Sequence, residues 1–346
     1  MKKVLALVLT LMMAISLVAV ASAEAEWHLG VFVHGLDNEF WAQEAAGGEL
    51  FAKLTDGVEA HVFSTDGDDN KENQTLRDFI GQYGDKAIVV TDVASTANSI
   101  NAVEICEDAG VYVTILWQHA EGLEVKDFEH FAAFLTADDF TSGYLTAKYM
   151  FEQLGGEGKV CALYGVMGED SAAGRYAGFQ AALEEFPGIE MLDMQIASWS
   201  QDEAMSFTQT WLSQYDQIDA IWSANDTMGL GAIEALKGEG LNGKVLVNGV
   251  DGIAAAYDAV LAGDMTCFIA NNGYMLMGYG AAYAYEAAAN GVKVDRPIIQ
   301  IDTPLITADN VEEMKAAFID GEPNYDFTDL GFCVLADYET FEEMAG

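Results

Sequence analysis

Three polar residues, Asn225, Asp251 and Asn271, each close a short apolar run between Ile218 and Asn271, in IDAIWSANDTMGLGAIEALKGEGLNGKVLVNGVDGIAAAYDAVLAGDMTCFIAN. The runs read as strands and the segments between them as helices, so the stretch is strand, helix, strand, helix, strand. In an open parallel sheet every strand points the same way, and ligands dock beyond the carboxyl ends. An amide there supplies both a donor and an acceptor, and a carboxylate accepts two hydroxyl hydrogen bonds at once. The chemistry implied is the holding of a small polar molecule, with Asn225 and Asp251 brought to one opening by a single strand–helix–strand unit.

Two further groups have suitable positions. Arg175, in GEDSAAGRYAGF, sits inside a helix that follows the strand KVCALYG, and its planar fork can give two hydrogen bonds to vicinal oxygens or to a carboxylate. A solvated helix charge is the competing role. In HGLDNEFWAQEAAGG, Asp37 or Asn38 is placed to cap a helix, with Phe40 and Trp41 just inside it. Capping accounts for Asn38 but not for two large aromatic rings at the mouth of a helix.

Other motifs fail on spacing. GLGAIEALKGEG lacks the dinucleotide pattern. DGDDNKENQTLR opens like a calcium loop but has Lys71 where glycine and Arg77 where glutamate should stand. His28, His34, His61, His119 and His130 form neither HxxxH nor HExxH, so no metal is expected. Cys106, Cys161, Cys267 and Cys333 have no CxxC spacing and read as buried free thiols. No cofactor and no catalytic nucleophile is indicated.

The elements that must position these residues alternate along the whole chain. HLGVFVH, EAHVFS, KAIVV, VYVTIL and HFAAFL read as strands between helical segments, and the pattern restarts at Lys159 with KVCALYG, IEMLDMQIA, DAIWSA, KVLVNGV and MTCFIA. Continuous apolar strands belong to a sheet covered on both faces. The fold class is therefore α/β with two doubly wound lobes, and RPIIQIDTPLITADNV reads as a late strand running back between them. Residues 1–23 read as a cleavable signal peptide, with Lys2 and Lys3, an apolar run and Ala21-Ser22-Ala23; a retained anchor is the competing role. No cysteine follows the cleavage site, which argues against a lipid anchor. The net charge of −41 repels nucleic acid and anionic membrane surfaces, since both are bound through Lys and Arg.

AIWSANDTMGLGAIEALKGEGL, VLVNGVDGIAAAYDAVLAGDMTCFIAN, GRYAGF and DNEFW together resemble the periplasmic sugar-binding proteins of ABC importers, the ribose- and galactose-binding type, from about Trp27 to Val311. The resemblance implies two Rossmann-like lobes joined by a three-crossing hinge, with the ligand enclosed between them. It divides the chain into a first lobe of residues 24–137 with 272–300 and a second of 138–271 with 301–346. It implies ligand contacts from Asn38, Phe40 and Trp41, with His34 beside them, and from Trp117 and Gln118 in VTILWQH. From the second lobe it implies Arg175, Trp199, Asn225 and Asp251, with Asn271 at the last crossing. Trp117-Gln118 stands where the ribose type has an Asp-Arg pair, Thr91 where it has Asn and Ala137 where it has Ser. Such a pocket reads as richer in Trp and poorer in charge than a ribose site, which points to a pyranose, a cyclic polyol or a nucleoside.

The expectation is thus a monomeric, exported, non-enzymatic binding protein, periplasmic or otherwise extracytoplasmic, serving an ABC permease or a chemoreceptor. A transcriptional regulator on the same fold would need a helix-turn-helix where the signal peptide stands. An enzyme would need a nucleophile and base in the cleft. The segment after Val311 extends beyond the resemblance.

Overall fold

The structure, a computed structural model, describes residues 25–320, 325–331 and 334–345; the expected signal peptide and Cys333 lie outside the described residues. The first lobe opens with β1 (Trp27–Val33), α1 (Glu39–Leu54), β2 (Val58–Ser64), α2 (Asp69–Tyr83), β3 (Ala87–Asp92), α3 (Ser99–Ala109), β4 (Val113–Leu116) and β5 (Phe131–Thr136). The chain then crosses into α4 (Asp139–Gln153), β6 (Glu157–Tyr164), α5 (Asp170–Glu185), β7 (Gly188–Ile196) and α6 (Gln201–Gln214). The second lobe continues through β8 (Ala220–Ser223), α7 (Asp226–Gly238), β9 (Leu246–Val250), α8 (Ala254–Ala262) and β10 (Cys267–Ile269). It returns through α9 (Gly273–Asn290) and β11 (Ile298–Ile301), crosses again to β12 (Leu305–Thr307) and α10 (Val311–Phe318), and closes with β13 (Val334–Tyr338) and α11 (Phe341–Ala345).

The sheets have the orders β13-β11-β5-β4-β3-β1-β2 and β12-β10-β9-β8-β6-β7. Within each, the edge strands β13 and β12 run antiparallel and the other pairings are parallel. Both lobes therefore repeat the second-first-third-fourth-fifth order, whose reversal between the first and third strands opens a crevice at the carboxyl ends. Strands such as β3 and β4 are buried throughout, as their unbroken apolar runs require in a sheet covered on both faces. The segment read as one late strand is two short ones, β11 and β12, one in each sheet.

One expectation needs correction. The tail assigned to the second lobe with residues 301–346 returns to the first: β13 pairs antiparallel with β11, Ile298 facing Tyr338. Ahead of it, Phe327 packs on Phe51 and Tyr279 at ring separations of 5.7 and 5.1 Å. The physical reason is an otherwise open sheet edge beside β11, which an added strand covers. The chain thus crosses between lobes a fourth time. Cys106, Cys161 and Cys267 are buried free thiols. No helix among the described residues is long and apolar enough to cross a membrane.

α4 and α5 approach so closely that only glycine fits between them. A Cβ on Gly143 would collide with the Arg175 carbonyl oxygen, and one on Gly178 with that of Phe140. Gly143→Ala is therefore expected to push α5 outward and destabilise the protein by about 1–3 kcal/mol, the usual cost of overpacking. Urea unfolding would read the loss, and an unchanged midpoint would contradict this packing.

Candidate functional site

The carboxyl ends of both sheets face each other across a narrow cavity lined from both lobes. Its first-lobe wall begins at His34, just after β1, whose ring stacks on Trp41 at 5.0 Å and 17°. Asn38 caps α1 by accepting from Phe40 N–H at 2.9 Å, and this turn presents both Phe40 and Trp41 to the cavity. Beyond β4, Trp117 adopts φ 64° and lines the cavity with Gln118.

The second-lobe wall holds Arg175, Trp199, Asn225 and Asp251. Arg175 is buried in α5. Its Nε donates to Asp139 Oδ1 at 2.8 Å, and its Nη1 donates to the Ala224 carbonyl at 3.0 Å and to Asp251 Oδ1 at 3.4 Å. The guanidinium also lies 5.7 Å from the rings of both Trp117 and Trp199, one from each lobe. Trp199 packs against Gly165, where any Cβ would strike the indole. Asn225 caps α7 by accepting from Met228 N–H at 2.9 Å. Trp117, Trp199 and Asp251 have φ of 64°, 61° and 139°. Such backbone costs about 1–3 kcal/mol per residue and concentrates where a site must be held in one geometry.

All the residues named from sequence line this cavity except Asn271. It is fully buried beside it, its N–H donating to the Asp251 carbonyl at 2.9 Å, and neither side-chain amide atom has a hydrogen-bond partner among the described residues. Gln118 is committed to the opposite lobe: Oε1 accepts from Asp170 N–H at 2.7 Å and Nε2 donates to Ser171 Oγ at 3.2 Å. With Asn38 Nδ2 donating to Thr227 Oγ1 at 3.3 Å and Ala254 N–H to Glu39 at 2.8 Å, these bonds latch the lobes together, so this is a closed form.

Three lining residues were missed: Asp92, Glu169 and Ser171. Asp92 ends β3 one residue beyond Thr91, the position singled out from sequence. Successive strand side chains point to opposite faces, so Thr91 Oγ1 instead donates to the buried Glu72 at 2.6 Å. Glu169 precedes α5 and accepts from Trp199 Nε1 at 2.8 Å. Five ionisable side chains, Asp92, Glu169, Asp251, Arg175 and His34, line the cavity.

Burial and proximity shift these groups strongly. Burial alone would lower the His34 pKa, but the charge and hydrogen bonding of Asp92, with help from Glu169 and the Val93 carbonyl, raise it to about 9. Its Nε2 lies 3.5 Å from Asp92 and 2.9 Å from that carbonyl. Burial raises Asp251 to about 7 against the pull of Arg175 and Asn225. Glu44, fully buried behind the cavity and accepting from Trp117 Nε1 at 2.9 Å, is pushed well above the carboxylate range by burial and by Asp92. A flat aromatic wall facing convergent donors and acceptors is suited to a ring with apolar faces and hydroxyl edges.

A family profile described as a periplasmic binding protein domain matches residues 29–293. The chain belongs to this family. Similar proteins include the xylitol-binding protein of Mycolicibacterium smegmatis, 30% identical over 82% of this chain and 78% of that one. The D-allose-binding periplasmic protein of Escherichia coli is 30% identical over 80% of this chain and 89% of its own length. Among solved structures, an ABC transporter solute binding protein from Bacillus halodurans with bound myo-inositol superposes on this periplasmic binding protein with a TM-score of 0.76. It is 26% identical over 86% of this chain and 99% of the other.

Proposed function

We propose that this protein is exported, captures a sugar or related polyol between its lobes, and presents the closed form to the permease of an ABC importer. The observation that carries the reading is the composition of the cavity: aromatic rings Phe40, Trp41, Trp117 and Trp199 with Asn38, Arg175, Asn225 and Asp251, drawn from both lobes. Rings cover the apolar faces of a sugar while amide, guanidinium and carboxylate groups meet its hydroxyls. Hydrogen bonds to charged partners contribute about 1.5–3 kcal/mol each, and an analogue lacking the hydroxyl leaves them buried and unpaired. Because both lobes supply contacts, the guest binds the closed form better than the open one and shifts the equilibrium between them. The binding of polyols and sugars by the similar proteins supports the same class. The signal peptide read at residues 1–23 supplies the route out of the cytoplasm.

Thermal unfolding against a panel of pentoses, hexoses, linear polyols and inositols tests this. At least one member is expected to raise the melting temperature in a concentration-dependent way, as binding to the native state must. Failure of the whole panel, or turnover of a bound sugar, would count against it.

A further inference from the structure

The inference rests on the cleft being a polyol site and concerns what else the guest carries. Charges in and around the cavity do not balance. Arg175 is shared between Asp139 and Asp251, and His34 is turned to Asp92. Glu169 remains. It is 5% exposed, and its Oε2 accepts from Trp199 Nε1 at 2.8 Å. Among the described residues its Oε1 has no hydrogen-bond partner and no Lys, Arg or His nitrogen lies within ion-pair distance; burial, the largest influence, raises its pKa although His34 and Arg175 act on its charge from farther off. Asp92, Glu169 and Asp251 line the cavity and Asp139 stands behind Arg175, so four carboxylates face two groups able to be cationic.

A carboxylate only partly compensated in a largely buried cleft is costly, and a hydroxyl donor gives it a hydrogen bond but no charge. The position of Glu169 matters too. A second, outer chamber lined by Asp37, Asp66 and Ser198 shares His34, Trp41, Glu169 and Trp199 with the inner cavity, so Glu169 stands at the neck between them. Trp41 and Trp199 line both chambers beside it. We propose that the guest is an amine-bearing polyol, an amino sugar or aminocyclitol, whose ammonium sits at the neck against Glu169 while its ring enters the inner cavity.

The test is isothermal calorimetry at pH 7 with matched sets: glucose, galactose, mannose and myo-inositol, their monoamino counterparts, and the N-acetylated forms. In the best-bound set the amine is expected to bind about tenfold or more tighter than its hydroxyl parent, and N-acetylation to remove the advantage. Glu169→Gln is expected to bring the ratio of amine to parent affinity close to one. A parent that binds as well as its amine, or an N-acetyl form that keeps the advantage, overturns the proposal and leaves the polyol reading standing. No binding by any member overturns the proposal, and the polyol reading falls with it only if the pentoses and linear polyols of the thermal panel fail as well. The acetylation comparison uses the unmodified protein, so a variant that fails to fold does not shelter the idea.

Discussion

Arg175→Ala is expected to abolish ligand-induced stabilisation and to lower the unfolding free energy by about 3–5 kcal/mol, the loss typical of breaking a buried ion pair. The guanidinium touches Asp139, the Ala224 carbonyl and Asp251; Arg175 and Asp251 are 4% and 3% exposed and the Asp139 side chain 11%. Burial would lower its pKa, yet Asp139 and Asp251 raise it, so the pair of carboxylates and the cation are mutually dependent. Removing the cation leaves two buried acids that repel each other, and one or both must take up a proton. The loss should therefore shrink when Asp139→Asn is added, because one orphaned charge is gone. Arg175→Lys keeps the charge but not the planar fork, so it should fall between wild type and Ala in stability. Urea unfolding followed by tryptophan fluorescence reads all four proteins. An Arg175→Ala protein within about 1 kcal/mol of wild type, the worth of a surface pair, would mean that this network is solvated after all.

What the sequence disclosed follows from how strands are built. Asn225 and Asp251 were recognisable because an apolar strand ends abruptly in a polar residue, and parallel pairing gathers such ends at one crevice. Arg175 stood out because cations are scarce in a chain with 15 Lys and Arg against 56 Asp and Glu. The same imbalance hid Asp92 and Glu169: among so many carboxylates, type alone marks none of them. Asp92 was also lost to a one-residue offset, which in a pleated strand exchanges the two faces. Gln118 was named as a ligand contact and lines the cavity, but its partners Asp170 and Ser171 lie more than fifty residues away on the other lobe, and only the closed geometry reveals that its amide also bridges the lobes. The tail was misplaced for a related reason. β13 joins β11 as an antiparallel edge strand, and no local signal tells a strand which sheet edge it will cover.

The ligand-free protein is expected to lose stability as pH rises from about 5 to about 9, against the common pattern for a protein rich in carboxylates. His34 has a folded pKa of about 9 compared with 6.5 ordinarily. Because the folded value is the higher, its contribution is fully present below about 6.5 and is lost as pH climbs through 9; a shift of that size corresponds to about 3 kcal/mol. Asp251, lifted by burial from 3.8 to about 7, acts in the same direction lower down: the folded form holds its proton where the unfolded chain has released it, so stability falls between those values. Glu107 and Asp193 are depressed by hydrogen bonds that outweigh their burial, and their stabilisation is lost only as pH falls through the acidic range, below the window chosen. Melting curves at pH 5, 7 and 9 should therefore show a falling midpoint. His34→Gln should flatten the stretch from 7 to 9 while leaving the fall from 5 to 7. A wild-type midpoint that rises across the range, or a variant with the same slope as wild type above pH 7, would show that His34 does not hold its proton against Asp92 in the folded cleft.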